Sequence, residues 1–356
     1  MAERDPIQTH ADGSHDLYDV ASWEPRTALD ELSVRIYHAS LSVARGVVVL
    51  LGVLVLLAIL LQGAMGAMLT DPFILSLVVL SALPALGLAG YVYVADVTTS
   101  EPLELLVGTF ILGVLFAGFA GVVNSLLGPF VQAIPLAGMI IFFYLVVGPV
   151  EETVKWLAVR LFAFRSSSFN AVIDGAVYGA AAGLGFATIE NALYITQSIA
   201  DSGSAGNLLA PVVPVLGLLG GQGSQLIGAG SQITALRALA GPGHVIYAAF
   251  SGYYLGLAKF NSDRAGPIVV KGLLIAAFIH ATYNTLVGVV PGLVSVLFPD
   301  VSQFLVFLGF VLVYDGFFGY LLYRKISRYA STYEAVTAAA DRSEADIAAE
   351  TDEFDG

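Results

Sequence analysis

Apolar residues in this chain come in unbroken runs of about twenty, the length a helix needs to cross a hydrocarbon layer at 1.5 Å per residue. About eight such runs can be drawn, at roughly 43–61, 73–95, 103–127, 137–163, 170–196, 239–259, 268–290 and 302–323. Of the 356 residues, 57% are hydrophobic and only 12% charged, half the charged share of an ordinary soluble domain. Too few polar side chains remain to coat a water-facing sphere, which excludes a soluble enzyme, a disordered chain and a coiled coil. The expected fold class is all-α, a polytopic transmembrane helical bundle. The absence of cysteine excludes disulfide frameworks, thiolate metal sites and cysteine nucleophiles.

The net charge of −13 is unevenly spread. Residues 1–45 hold eight acids and four bases, and residues 334–356 hold eight acids and one base. These ends predict acidic, mobile tails over 1–42 and 326–356 flanking a membrane domain at 43–325. No basic patch suits a nucleic acid, so the lipid bilayer is the expected surrounding. Basic residues then set the orientation: Arg26, Arg35 and Arg45 precede the first span, and Lys155, Arg160 and Arg165 close the fourth. Lys259, Arg264 and Lys271 join the sixth to the seventh, and Arg324, Lys325 and Arg328 follow the eighth. Eight spans with both termini cytoplasmic put all of these on one face, in a multi-pass cell-membrane protein. A ninth span in the Gly- and Gln-rich stretch 197–238 would break that pattern, so the stretch is read as an external loop, partly re-entrant.

Charged groups inside hydrocarbon cost at least ~2.5–3.5 kcal/mol each, so they mark functional or water-lined interiors. The fourth span carries Glu151, Glu152 and Lys155; the fifth, Glu190 and Asn191; the sixth, Arg237 and His244; the seventh, His280 and Asn284. Glu151 and Lys155 share a helix face at the favourable i, i+4 spacing, leaving Glu152 to face something else. His280 and Asn284 also share a face, and Pro149 predicts a kink just before the acids. Counting from the basic anchors, Glu151 and His244 lie about 21–23 Å deep and His280 about 14 Å. Residues from four helices thus converge in depth within a motif core at about 137–290. Taken singly, each has a plain structural alternative: an ion pair, an interhelical hydrogen bond, or a snorkelling anchor in the case of Arg237. Asp174 and Asp315 fall near span ends, where water explains them. The small residues of the stretch from Gly175 to Gly185 read as helix-packing contacts.

Two histidines and three carboxylates, with no Ser–His–Asp or Cys–His pattern, point to activation of water. A carboxyl in an apolar setting suits a general base, and a His/Asn face can stabilise an oxyanion. Amide hydrolysis follows from that set. No cofactor is favoured; the alternative is Zn²⁺ held by Glu151, His244 and His280, an open His₂Glu pattern without HExxH.

Four motifs in order across separate spans carry a resemblance. They are EExxK (Glu151, Glu152, Lys155), FxxxEN (Phe186, Glu190, Asn191), RALAGPGH (Arg237, Pro242, His244) and HxxxN (His280, Asn284). Over roughly 100–325 the chain resembles the PrsW family of intramembrane proteases, related to the CAAX prenyl protease and bacteriocin-processing group. The resemblance implies site-1-type cleavage of a membrane-anchored protein substrate, with anti-sigma factors the best-known class. Carried over by motif, Glu151 is the water-activating base and Glu152 its supporting carboxylate. Glu190 and His244 complete the water site or proton relay, and His280 with Asn284 form the oxyanion hole. Lys155, Asn191 and Arg237 are supporting residues. Two other readings compete: a proton-coupled transporter, with ionisable groups strung between the two faces, and a scaffold whose buried polar groups only specify packing. The protease reading requires Glu151 close enough to His244 or His280 to share a water.

Overall fold

A run that is apolar on every side has no face to give to water, and five helices among the described residues have that character over a membrane-crossing length. They lie in Pro72–Val94, Leu103–Gln132, Val172–Ile199, Ser262–Val294 and Gln303–Arg342. The computed structural model describes residues 5–11, 15–41, 71–98, 100–135, 137–201 and 221–354. Its helices are α1 (Pro6–His10), α2 (Ala28–Leu41), α3 (Pro72–Val94), α4 (Leu103–Gln132), α5 (Gly138–Phe142) and α6 (Gly148–Leu161), then α7 (Val172–Asp201), α8 (Gly221–Phe260), α9 (Ala265–Leu297) and α10 (Gln303–Phe354). No strand occurs among these residues, so the fold class is all-α as expected. The expected first span, 43–61, lies outside the described residues.

Two other expected spans are helical without joining the five. The 137–163 stretch is divided: residues Phe143–Val147 wind as a π turn between α5 and α6. Pro149 sits in the first turn of α6, where its ring crowds the carbonyl four residues back, and the wider turn absorbs the misfit. The kink expected at Pro149 takes this form. The 239–259 stretch forms the second half of the 40-residue α8, its hydropathy diluted by Gly, Ser, Tyr and His244.

α7 is the axis of the bundle. About nine-tenths of its most apolar window is covered by protein, against about a sixth for α10. Coverage that complete needs neighbours whose backbones come close, and the small residues read as packing contacts do this work. Gly175, Gly179 and Gly183 form a row against α8; a Cβ added at Gly183 would stand 2.4 Å from the carbonyl oxygen of His244. Gly148 does the same between α6 and α9, where a Cβ would stand 2.7 Å from the Ala277 carbonyl. Large apolar side chains left exposed, such as Leu80 and Leu83 on α3 or Leu312 and Val313 on α10, face outward where lipid is the solvent.

The structure departs from the expected loop and tails. Within 197–238, α7 continues to Asp201 and α8 begins at Gly221, so the described part is helical rather than an external loop. Packing of α8 along α3 outweighs its high Gly content. Residues 202–220 lie outside the described set. The described part of the N-terminal segment is docked rather than mobile. Ile7, Val20, Ala21 and Trp23 are buried, and the acids that suggested repulsion find donors on the bundle. Asp5 accepts from the Val172 amide at 2.9 Å and the Tyr329 hydroxyl at 3.0 Å. Asp19, in a left-handed turn (φ 61°) that Asp tolerates, binds Lys325 at 2.7 Å and Lys271 at 3.1 Å. Asp30 meets Lys271 at 2.8 Å. Burial pushes the Asp5 carboxyl up to about 6, against the pull of the Val172 and Ile7 amides. Burial also opposes ionisation of Asp19, but Lys325 and Lys271 hold its carboxyl below the usual range. α10 runs to Phe354, so most of 326–356 is helix, with Tyr329 and Val336 buried. Asp174 and Asp315, expected to meet water at span ends, are buried too: Asp174 accepts from the Asn170 and Ala171 amides, and Asp315 lies 3.4 Å from the Tyr247 hydroxyl.

Candidate active site

The close approach of α6 to α9 at Gly148 and of α7 to α8 at Gly183 brings four polar stretches to one place. One turn beyond Gly148 come Glu151 and Glu152, one turn beyond Ala277 comes His280, and His244 itself touches the Gly183 position. All four are buried, as is Lys155.

The ion pair differs from the i, i+4 reading. Lys155 Nζ lies 2.6 Å from Glu152 Oε1, at i, i+3, and not on Glu151. It is drawn to that side by His244, whose Nδ1 is 3.0 Å from the same Nζ, and by the Phe186 ring beneath it. An ammonium only donates, so His244 Nδ1 accepts and its proton sits on Nε2, which faces Glu190 Oε2 at 2.7 Å. Glu190 Oε2 also takes Arg237 Nη2 at 2.6 Å, and Arg237 Nε donates to Asn191 Oδ1 at 2.9 Å. Asn191 passes the chain on to Ser81 Oγ of α3 at 3.0 Å. Arg237 is therefore inside a helix and bound to the cluster, not a snorkelling anchor, and Glu190 lies at its centre.

His280 is oriented by the neighbouring acid. Its Nδ1 donates to Glu152 Oε1 at 2.8 Å, which turns Nε2 toward the cavity. That nitrogen points toward Glu151 Oε2 at 3.7 Å, beyond hydrogen-bond range. Glu151 Oε1 accepts from Asn124 Nδ2 of α4 at 3.0 Å, while its Oε2 is buried with no hydrogen-bond partner among the described residues. Tyr247 stacks on the His280 ring, and the two histidine rings meet edge to face at 5.2 Å. Glu151, Glu190, His244, His280 and Asn284 all line one cavity of about 860 Å³; Glu152 and Lys155 sit behind its wall. Phe142, Phe143, Ile233, Phe304 and Phe307 give the cavity apolar sides.

All nine residues singled out in the sequence thus belong to one site. Three of its members, Asn124, Tyr247 and Ser81, were not singled out. Asn124 is the one carboxamide in the expected span 103–127, and Tyr247 follows His244 at i+3; both were readable signals.

Donor atoms of Glu151, His244 and His280 lie within 4.8 Å of one another. The Glu151 oxygen that has no hydrogen-bond partner among the described residues and His280 Nε2 are a fitting pair of metal ligands, and the Glu152–His280 bond is the carboxylate support such a histidine has. His244 is committed on both nitrogens, so it would have to exchange Glu190 for the ion.

A family model described as "PrsW family intramembrane metalloprotease" matches residues 101–314. A protein named Protease PrsW from Bacillus subtilis (strain 168) is 27% identical over 229 residues, 63% of this chain and 87% of its own length. One of the same name from Shouchella clausii (strain KSM-K16) is 27% identical over 209 residues, covering 59% and 82%. Another from Clostridioides difficile (strain 630) is 26% identical over 212 residues, covering 59% and 78%. No solved structure matches the chain.

Proposed function

The chain belongs to the PrsW family of intramembrane proteases, a multi-pass membrane peptidase, and from that premise we propose that it hydrolyses a peptide bond of a membrane-anchored protein inside the cavity bounded by Glu151, His244 and His280. The observation that carries this is the gap between Glu151 Oε2 and His280 Nε2. Glu151 Oε2, buried and without a hydrogen-bond partner among the described residues, faces His280 Nε2 at 3.7 Å, and the gap opens on the cavity of about 860 Å³.

In the proposed reaction Glu151 Oε2 takes the proton of an attacking water, and Asn124 holds that carboxylate in position. Asn284, four residues beyond His280 and on the cavity wall, donates to the developing oxyanion. Glu190 and His244 pass a proton to the leaving amine, their geometry held by Arg237 and Asn191. Glu152 and Lys155 neutralise each other and orient the two imidazoles. If zinc is the family's metal here, Glu151, His244 and His280 would hold it, and it would supply Lewis-acid polarisation of the scissile carbonyl and a more acidic water. Both termini are assigned to the cytoplasm; this is supported by Asp19 gathering Lys271 of α9 and Lys325 of α10 at one end of the bundle.

The test is cleavage of a co-expressed single-span substrate. Glu151→Gln and His280→Ala are expected to abolish it while the protein stays in the membrane at normal level; normal cleavage by Glu151→Gln would remove the water-activation role. Membrane proteomics of a Glu151→Gln strain should show the natural substrate accumulating uncut.

A further inference from the structure

A second carboxylate cluster lies away from the cavity, where the loop between α3 and α4 meets the start of α7. Asp96, Glu101 and Asp174 each place an oxygen within 4.8 Å of the others. Each carboxylate is anchored through one oxygen only. Asp96 Oδ1 accepts from the Thr98 amide at 2.9 Å and the Thr98 hydroxyl at 2.7 Å. Glu101 Oε2 accepts from the Tyr178 hydroxyl. Asp174 Oδ2 accepts from the Asn170 and Ala171 amides at 2.7 and 2.8 Å. The second oxygen of each, Asp96 Oδ2, Glu101 Oε1 and Asp174 Oδ1, is buried and takes no hydrogen bond from a donor outside the cluster among the described residues. Glu101 is 3% exposed and Asp174 fully buried, while Asp96 is only half-covered and leaves a way in.

Buried carboxylate oxygens are costly without a partner, and three together repel. Lys259 offers Glu101 some countercharge, and Glu101 stands close enough to Asp174 to share a proton, which would still leave two negative charges. The arrangement is that of ligands held by an outer shell: one oxygen fixed by protein donors, the other spare. Oxygen donors without imidazole or thiolate suit a hard divalent cation, and oxygens up to about 4.8 Å apart can lie on one Ca²⁺ or Mn²⁺ ion at ~2.2–2.5 Å each. We propose that Asp96, Glu101 and Asp174 bind a hard divalent cation of the Ca²⁺/Mg²⁺/Mn²⁺ class. The ion ties the α3–α4 loop to the N-terminus of α7, the axis against which the peptidase site is built.

The experiment uses the full chain in detergent, stripped with chelator, in the Glu151→Gln background so that the cavity does not contribute. Mn²⁺ is titrated by EPR, and thermal unfolding is followed with and without 1 mM Ca²⁺ or Mg²⁺. One saturable Mn²⁺ per chain is expected, with affinity lowered at least tenfold by Glu101→Gln or Asp174→Asn, and a raised Tm with Ca²⁺ or Mg²⁺ that these variants lack. Should those buried substitutions prevent folding, Asp96→Asn, at the half-open position, must give the same loss. Binding unchanged in the Asp96, Glu101 and Asp174 variants would overturn the proposal. So would an absence of saturable binding, with a Tm that falls as pH rises and ignores cations, since the cluster would then be held by a shared proton.

Discussion

Lys155 pairs with Glu152 at 2.6 Å, so Glu151, its neighbour in the chain, is left without a cation. The division separates two chemically identical side chains into a charge-neutral support behind the wall and a free carboxylate on the cavity.

Breaking the support should be costly. Lys155→Met leaves Glu152 buried with only His280 beside it, and a loss of about 3–5 kcal/mol is expected. The Glu152→Gln/Lys155→Met double variant should recover part of it, because no charge remains stranded. Equilibrium unfolding in mixed detergent measures both; equal losses for single and double variants would mean that the pair contributes packing alone.

Among the described residues, Asn124 is the only hydrogen-bond donor on Glu151. Asn124→Leu should lower cleavage by roughly 10–100-fold through kcat, leaving KM and membrane level near normal. A rise in KM alone would place Asn124 in substrate binding instead.

Helix approach at Gly148 sets the distance from Glu151 to His280. Gly148→Ala should force α6 off α9, cost about 1–3 kcal/mol and suppress cleavage. Gly288→Ala, further along α9 with nothing within 4 Å, is the matched control and should be silent. The pair of substitutions is read by cleavage and thermal stability together.

The docked N-terminal segment should respond to pH. The Asp5 carboxyl is held at about 6 in the folded chain against an ordinary 3.8. A raised value means that its contribution, roughly 3 kcal/mol, is complete below about pH 4 and is lost as pH rises through 6. Protection factors for amide exchange over residues 5–11, taken against the intrinsic rate at each pH, should therefore fall between pH 5 and 7, and Asp5→Asn should flatten that profile. Protection that rises over the same range would reverse the assignment.

The helical class and the nine polar residues of the site were legible because hydrocarbon makes each intramembrane charge conspicuous. Which acid takes Lys155 was not, since i+3 and i+4 are both within reach and His244, distant in sequence, decides between them. The docking of residues 5–11 and 15–30 was hidden for a related reason: Asp5, Asp19 and Asp30 read as mutually repelling until Lys271 and Lys325 are placed beside two of them and Val172 beside the third. The helical start of α8 was masked by its glycines, whose weak propensity yields to contact with α3.

Because α7 and α8 touch through carbonyls at the Gly183 row, that seam has no room for any larger residue. On the proposed function, re-engineering of peptide preference falls to the part of the cavity lining away from that seam, Phe143, Phe304 and Phe307, rather than to the Gly183 row.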